Sequence, residues 1–301
     1  VGLQYISLKI GLIFYLKCCI SHLRHREKAL NCNQTLKPNT LMRELIKKLL
    51  GANIRLQLRR LFPSRIQREA DKAANEEARF RSKFYSKFIK SGDICFDVGA
   101  NMGNRVLPLL AIGAKVVAVE PQANCYEYLK QKFGKRITVV GKGLGAVEAV
   151  KKFYVSNTSV LSSFSEEWID SVKDGRFDAY TWDEPINLEI TTADKLIETF
   201  GLPSFIKIDV EGYELEVLKG LTQPVKMISF EYTVPEQTAR AIQCIDQILT
   251  HNPNIECNYS SNESMQWGME KWLLPAEMKK FIAGNDFIST GFGDIYVRTK
   301  V

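Results

Sequence analysis

Four apolar runs in this chain stop at or beside an acid. Ile94-Cys95-Phe96 stops at Asp97, Lys115 to Val119 at Glu120, Phe205 to Val210 contains Asp209, and Lys226 to Phe230 stops at Glu231. Short apolar runs of this kind read as buried strands. Acids gathered at one edge of a sheet suit a cationic or polyhydroxyl ligand and acid–base chemistry. A glycine turn follows the first acid, Gly99-Ala100-Asn101-Met102-Gly103. Its G-x-x-x-G spacing is not the G-x-G-x-x-G that brings a dinucleotide pyrophosphate to a helix N-terminus. An acid just before the turn would also repel a pyrophosphate. The same acid suits a ligand that carries a cation and no phosphate, and S-adenosylmethionine is such a ligand. Asp97 would face its aminoacid end, Gly99 and Gly103 would let the backbone approach, and Glu120 would accept hydrogen bonds from the ribose hydroxyls.

The elements that must hold these residues can be read in order. Ile94 to Gln122 reads as strand, tight turn, helix (Val106 to Ile112) and strand, one βαβ unit of a parallel sheet. A helix is predicted at Asn124 to Phe133, a strand at Ile137 to Val140, and then a flexible turn, Gly141 to Gly145, whose Gly143 and Leu144 would border the adenine. Lys151 to Val155 reads as a short strand. Thr158 to Trp182 is a long polar stretch with serines and aromatics, and a loop of that length is usually functional; a substrate lid is expected. Thr192 caps a helix through Phe200. The turn Glu211-Gly212 joins the strand of Asp209 to a helix ending at Lys219. A helix from Glu236, the strand Ile255 to Tyr259, a helix at Pro275 to Ala283 and the strand Asp294 to Arg298 close the chain, the last strands forming a hairpin-like sheet edge.

Composition limits the partners. The chain has 301 residues and a net charge of +7, but residues 1–91 hold 20 Lys+Arg against 6 Asp+Glu, so the region bearing the acids is itself negative. That argues against its tracking a nucleic-acid backbone. A division is expected between a basic helical N-terminal extension, 1–90, and a catalytic domain, 91–301. In the extension, Leu41, Leu45, Ile46, Leu49 and Leu50 line one helix face and Arg43, Lys47 and Lys48 the other. Such a helix can touch an anionic membrane surface, although packing on its own domain is the commoner role. Residues 1–20 are apolar but carry Lys9 and Lys17, so a partly buried helix is favoured over a membrane anchor. None of the seven cysteines falls in a C-x-x-C pair, which disfavours structural zinc and points to a reducing, cytoplasmic setting.

Three blocks, GDICFDVGANMG with VVAVEP, TTADKL, and FIKIDVEGYELEVLKG, resemble the FkbM family of S-adenosylmethionine-dependent methyltransferases. The resemblance covers about Ser91 to Glu231, and FGDIYVR is similar to the family's closing strand. TTADKL departs from the family's usual T-L-D at Ala193, a packing position. The resemblance implies an α/β class I methyltransferase fold: a Rossmann-like three-layer sandwich around a seven-stranded, mostly parallel sheet. It implies O-methylation of a hydroxyl on a sugar, glycan or other small molecule. It places Asp97, Gly99, Ala100, Asn101, Gly103, Glu120, Pro121, Gly143 and Leu144 at the cofactor. Asp209, Glu211 and Glu231 would line the place where donor and acceptor meet.

Methyl transfer to a hydroxyl needs alignment and removal of one proton. Asp209 or Glu211 is the expected base. Alternatively Asp209 and Glu231 hold a divalent metal that lowers the hydroxyl pKa, and carboxylates serve either purpose. Lys207 shares a strand face with Asp209 and is expected to orient it as an ion pair. Two other functions compete: a protein or RNA methyltransferase whose basic N-terminal helices hold the substrate, and an inactive binding module on the same fold.

Overall fold

A computed structural model of the chain describes residues 65–300. The expected helix at 41–50 and the anchor-or-helix question at 1–20 lie outside the described residues. Among the described residues no helix is long and apolar enough to cross a membrane.

Helix α1 (Arg65–Tyr85) leads into the βαβ unit, β1 (Ile94–Val98), α2 (Val106–Ile112) and β2 (Lys115–Val119). Next come α3 (Ala123–Phe133), β3 (Ile137–Val140), β4 (Gly143–Leu144) and β5 (Ala149–Phe153). They are followed by α4 (Glu166–Val172), β6 (Ile186–Thr191), α5 (Ala193–Phe200), β7 (Phe205–Ile208) and α6 (Glu214–Lys219). The chain ends with β8 (Met227–Thr233), α7 (Thr238–His251), β9 (Ile255–Ser261), α8 (Pro275–Ile282), α9 (Asn285–Ile288) and β10 (Phe292–Thr299).

Seven strands form one sheet in the order β3-β2-β1-β7-β8-β10-β9. Every pair is parallel except those of β10, which runs antiparallel to β8 and β9. This is the seven-stranded, mostly parallel sheet that the resemblance implies. The strand order reverses between β1 and β7, and crevices beyond the carboxyl ends of strands at such a point are where open α/β sheets bind ligands. β4, β6 and β5 form a separate three-stranded sheet.

The central strands are apolar on both faces because both are covered. One face, including Phe96, Ile206, Ile208 and Phe230, packs against α5, α6 and α7. The other, including Cys95, Val116 and Phe205, packs against α2, α3 and the residues around the end of α1. Phe84, Tyr85, Phe88 and Ile89 precede the boundary expected at residue 90, yet they belong to this second core. Phe84, Phe88, Trp267 and Tyr296 meet there as an aromatic cluster, with ring centroids 4.5 to 6.1 Å apart.

Three expectations change. Thr158 to Trp182 is not a plain loop: it holds a short 3-10 turn at Ser159–Leu161 and the helix α4, capped by the Ser165 side chain on the Trp168 N–H. Its Trp168, Ile169 and Val172 are buried in a small core of their own. Strand β6 was not anticipated, although Ile186, Leu188 and Ile190 alternate with polar residues in the manner of a half-buried strand. Strand β8 continues past Phe230 to Thr233, so Glu231 lies within a strand and pairs with Asp294 of β10.

Candidate active site

A cavity of about 220 Å³ opens at the β1–β7 reversal. Asp97, Gly99, Ala100, Asn101, Glu120, Pro121, Gly143, Leu144, Asp209, Glu211 and Glu231 all line it. Residues up to 134 positions apart thus meet because parallel strands deliver their carboxyl ends to one edge. Gly103 is not among the lining residues. A Cβ there would lie 2.6 Å from the Phe133 ring and 3.0 Å from Leu129, so this glycine with φ +81° is needed for close packing beneath α3. Gly99 lines the cavity, but its absent side chain serves the protein first. A Cβ would stand 1.7 Å from the Asp209 carbonyl oxygen, so only glycine lets the ends of β1 and β7 touch.

At one end of the cavity, backbone groups organise the acids. Glu120 is 2% exposed. It accepts the Asn101 N–H at 2.7 Å on one oxygen and the Gln122 N–H at 2.8 Å on the other. Burial raises its pKa and these two N–H groups oppose the rise. Asn101 sits at φ +45°, a conformation that Asn tolerates better than most residues. The 3-10 turn closes over this end: Ser159 donates to Asn101 Oδ1 at 3.3 Å, and Gln122 donates to the Ser159 carbonyl at 2.9 Å. Asp97 is 1% exposed, and its Oδ2 has no hydrogen-bond partner. Burial pushes the Asp97 carboxyl up to about 7; Lys207 opposes, while Asp209 and Glu120 add to the rise. A buried acceptor with no donor beside a cavity fits an ammonium group. Leu144, Phe153, Phe164 and Val160 provide apolar wall between the acids.

At the other end the acids crowd one lysine. Lys207 is fully buried and reaches Asp294 at 2.6 Å and Asp209 at 3.2 Å. Its role as the ion-pair partner that orients Asp209 is therefore visible in the geometry. Burial alone would raise the Asp209 pKa, but Lys207 and then Arg105 outweigh it, and the pKa is lowered. Glu211 and Glu231 move the other way. Burial, then the Asp209 charge, pushes both well above the ordinary range, with Glu214 adding to each. Carboxylate oxygens of Asp209, Glu211 and Glu231 lie within 4.8 Å of one another. One ionised acid and two that retain protons is the expected outcome for like charges this close.

Several residues of this site carried no signal in the sequence. Asp294 and Lys207 are 87 positions apart, and only the pairing of β7, β8 and β10 unites them. Glu214 accepts the N–H groups of Val210 at 3.1 Å and Gly212 at 3.2 Å, so it holds the turn on which Glu211 sits at φ +53°. Burial takes Glu214 up to about 7. Ser163 donates to the Glu211 carbonyl at 2.7 Å, and Trp168 lies so close to Gly212 that a Cβ there would meet it at 2.3 Å. The stretch expected to be a lid braces the turn that carries Glu211.

The methyltransferase FkbM domain matches residues 97–261. The hexuronic acid methyltransferase AglP of Haloferax volcanii is 28% identical over 140 residues, covering 46% of this chain and 54% of that protein, so the match spans about half of its length. Among solved structures, the precorrin-6y C5,15-methyltransferase of Geobacter metallireducens is similar with a TM-score of 0.38 and 9% identity, over 73% of this chain and 87% of that one. The O-methyltransferase of Bacillus cereus, solved in complex with SAH, has a TM-score of 0.36 and 10% identity, over 76% of this chain and 81% of that one.

Proposed function

We propose, from the premise that this chain belongs to the FkbM methyltransferase family and is an S-adenosylmethionine-dependent methyltransferase, that it methylates a hydroxyl of a sugar or glycan, with acidic sugars as the favoured acceptors. The observation that carries this reading is the pairing within one cavity of Asp97 and Glu120 at one end with Asp209, Glu211 and Glu231 at the other. The acidic-sugar preference draws on the similarity to the hexuronic acid methyltransferase.

The cofactor supplies an electrophilic methyl group on a sulfonium centre. Asp97, whose Oδ2 has no other partner, would hold the α-ammonium. Glu120 would take the ribose hydroxyls on its remaining lone pairs. The Ala100 and Asn101 backbone, Pro121, Gly143 and Leu144 would shape the wall around the nucleoside. At the far end Asp209, kept ionised by Lys207, accepts a hydrogen bond from the acceptor hydroxyl and so aims its oxygen. As the new C–O bond forms, that same proton passes to Asp209, the one acid of the three held ionised.

A second reading uses the same acids. Their spacing within 4.8 Å would also suit a divalent cation, held by oxygen ligands, that lowers the hydroxyl pKa. Loss of activity on chelation, restored by Mg²⁺ or Mn²⁺, would favour that reading; unchanged activity would favour direct proton transfer.

The test is transfer of labelled methyl groups from the cofactor to a panel of hexuronic acids, neutral sugars, protein and RNA, with the products exposed to mild base. A base-stable methyl ether on a sugar supports the proposal. A base-labile ester on the uronate carboxyl, or transfer to protein or RNA alone, overturns it.

A further inference from the structure

The proposed transfer leaves two buried cations unused. Arg81 and Arg105 are each 7% exposed. Arg81 belongs to α1 and Arg105 immediately precedes α2, yet they meet on one carboxylate. Arg81 Nη2 donates to Glu263 Oε2 at 2.7 Å, and Arg105 Nη2 donates to Glu263 Oε1 at 2.6 Å. Arg81 Nε is occupied by Glu77 at 2.7 Å. Arg81 Nη1 and both remaining nitrogens of Arg105, Nε and Nη1, are buried with no hydrogen-bond partner. A guanidinium grips a carboxylate best with two parallel N–H bonds, and a buried donor left unpaired is costly. The two guanidinium groups therefore share Glu263, and Arg105 has no second hydrogen-bonded acid.

That acid is far more exposed than the arginines it joins. The Glu263 side chain is 46% exposed, against 8% and 9% for the two arginines. It follows β9 in a turn where Asn262, Glu263 and Met265 all have positive φ, at 50°, 54° and 52°. Non-glycine residues seldom adopt that region, and here three do so within four positions. Arg105 and Glu263 both line the cavity. Arg105 stays charged: burial opposes its charge, but Asp294, Glu263 and Asp209 outweigh it.

We propose that Arg105 in the cavity wall, backed by Arg81 on the same acid, forms a carboxylate-binding site, which Glu263 fills as an internal stand-in until a ligand carboxylate takes its place. This rests on the function proposed above and deepens it. Two sources carry the required chemistry: the aminoacid end of the cofactor and the carboxylate of an acidic sugar acceptor.

The experiment is calorimetric titration of the full chain with S-adenosylhomocysteine and with 5′-methylthioadenosine, which keeps the nucleoside thioether but lacks the carboxylate. D-glucuronate and D-glucose are then titrated into protein saturated with S-adenosylhomocysteine. The variants are Arg105→Gln, Arg105→Lys (which keeps the charge and loses the fork) and Glu263→Gln. Methylthioadenosine binding is expected to be the same in all of them, reporting an intact nucleoside end. If the cofactor carboxylate is the occupant, both Arg105 variants weaken S-adenosylhomocysteine about 10- to 100-fold. If the acceptor carboxylate is the occupant, that affinity holds and glucuronate binding falls to the level of glucose. Glu263→Gln moves the same affinity in the opposite direction, several-fold tighter, because it removes the competing acid. Unchanged S-adenosylhomocysteine and glucuronate binding in the Arg105 variants overturns the site while methylthioadenosine binding leaves the cofactor reading intact. Should an Arg105 variant lose methylthioadenosine too, Glu263→Gln alone decides: tighter binding supports the site, unchanged or weaker binding overturns it. Wild-type protein that binds neither nucleoside overturns the site and the reading beneath it together.

Discussion

The two ends of the cavity are both acidic, and they are built differently. At the β1–β2 end, each oxygen of Glu120 is met by a backbone N–H, and the turn of Asn101 is tied to Ser159. At the β7–β8 end, Asp209, Glu211, Glu231 and Asp294 surround Lys207, and the nearest stabilising charges are side chains. Backbone donors set a fixed geometry without adding net charge. Side-chain charges leave a balance that protons or a cation can tip. The first arrangement suits holding a ligand, and the second suits moving a proton.

The largest expected effect breaks the second end. Lys207→Met removes the cation between Asp209 and Asp294, and stranding buried acids typically costs about 3–5 kcal/mol. Denaturant unfolding checks it; a loss below about 1 kcal/mol would show that the acids take up protons instead of depending on Lys207. Next, Asp209→Asn should lower kcat by about 10²- to 10⁴-fold while the cofactor Kd changes by less than about tenfold. Equal losses in both would mean that the ends do not act separately. Glu120→Gln does the reverse. An amide presents an N–H to a backbone N–H where an oxygen stood, so cofactor Kd should rise by about tenfold with kcat little altered.

The smallest effect is the pH dependence of the first end. Asp97, with its carboxyl at about 7, holds a proton below that pH in the ligand-free protein. An ammonium prefers the ionised form, so S-adenosylmethionine should bind more tightly at pH 8 than at pH 6, and Asp97→Asn should flatten that difference. Stability of the empty protein runs the other way. A carboxyl raised on folding contributes stability that is present below its unfolded value and is lost as pH rises through about 7. Titration calorimetry and thermal melts at the two pH values check both signs.

Local signals carried most of the site. Strand β2 spans Lys115–Val119, as its apolar run predicts, and Thr192 caps α5 by accepting the Lys195 N–H. The acid-ended runs placed Asp97, Glu120, Asp209, Glu211 and Glu231 at one edge because parallel strands align their carboxyl ends. Local signals failed where partners are distant. Gly103 has the motif's spacing but answers to Phe133, and Glu231 looked like a strand end because the pairing of β8 with β10 is not written in Lys226 to Phe230.

By itself, the sequence determined the strand–turn–helix order, the acids at the strand ends and the cofactor class, since each depends on residues within a few positions of one another. Only the tertiary structure decided that Lys207 also reaches Asp294, that Ser163 and Trp168 brace the Glu211 turn, and that Arg81 and Arg105 converge on Glu263. Those contacts arise from side chains brought together by strand pairing and helix packing across 44 to 182 positions, and periodicity along the chain does not encode which distant element a face will meet.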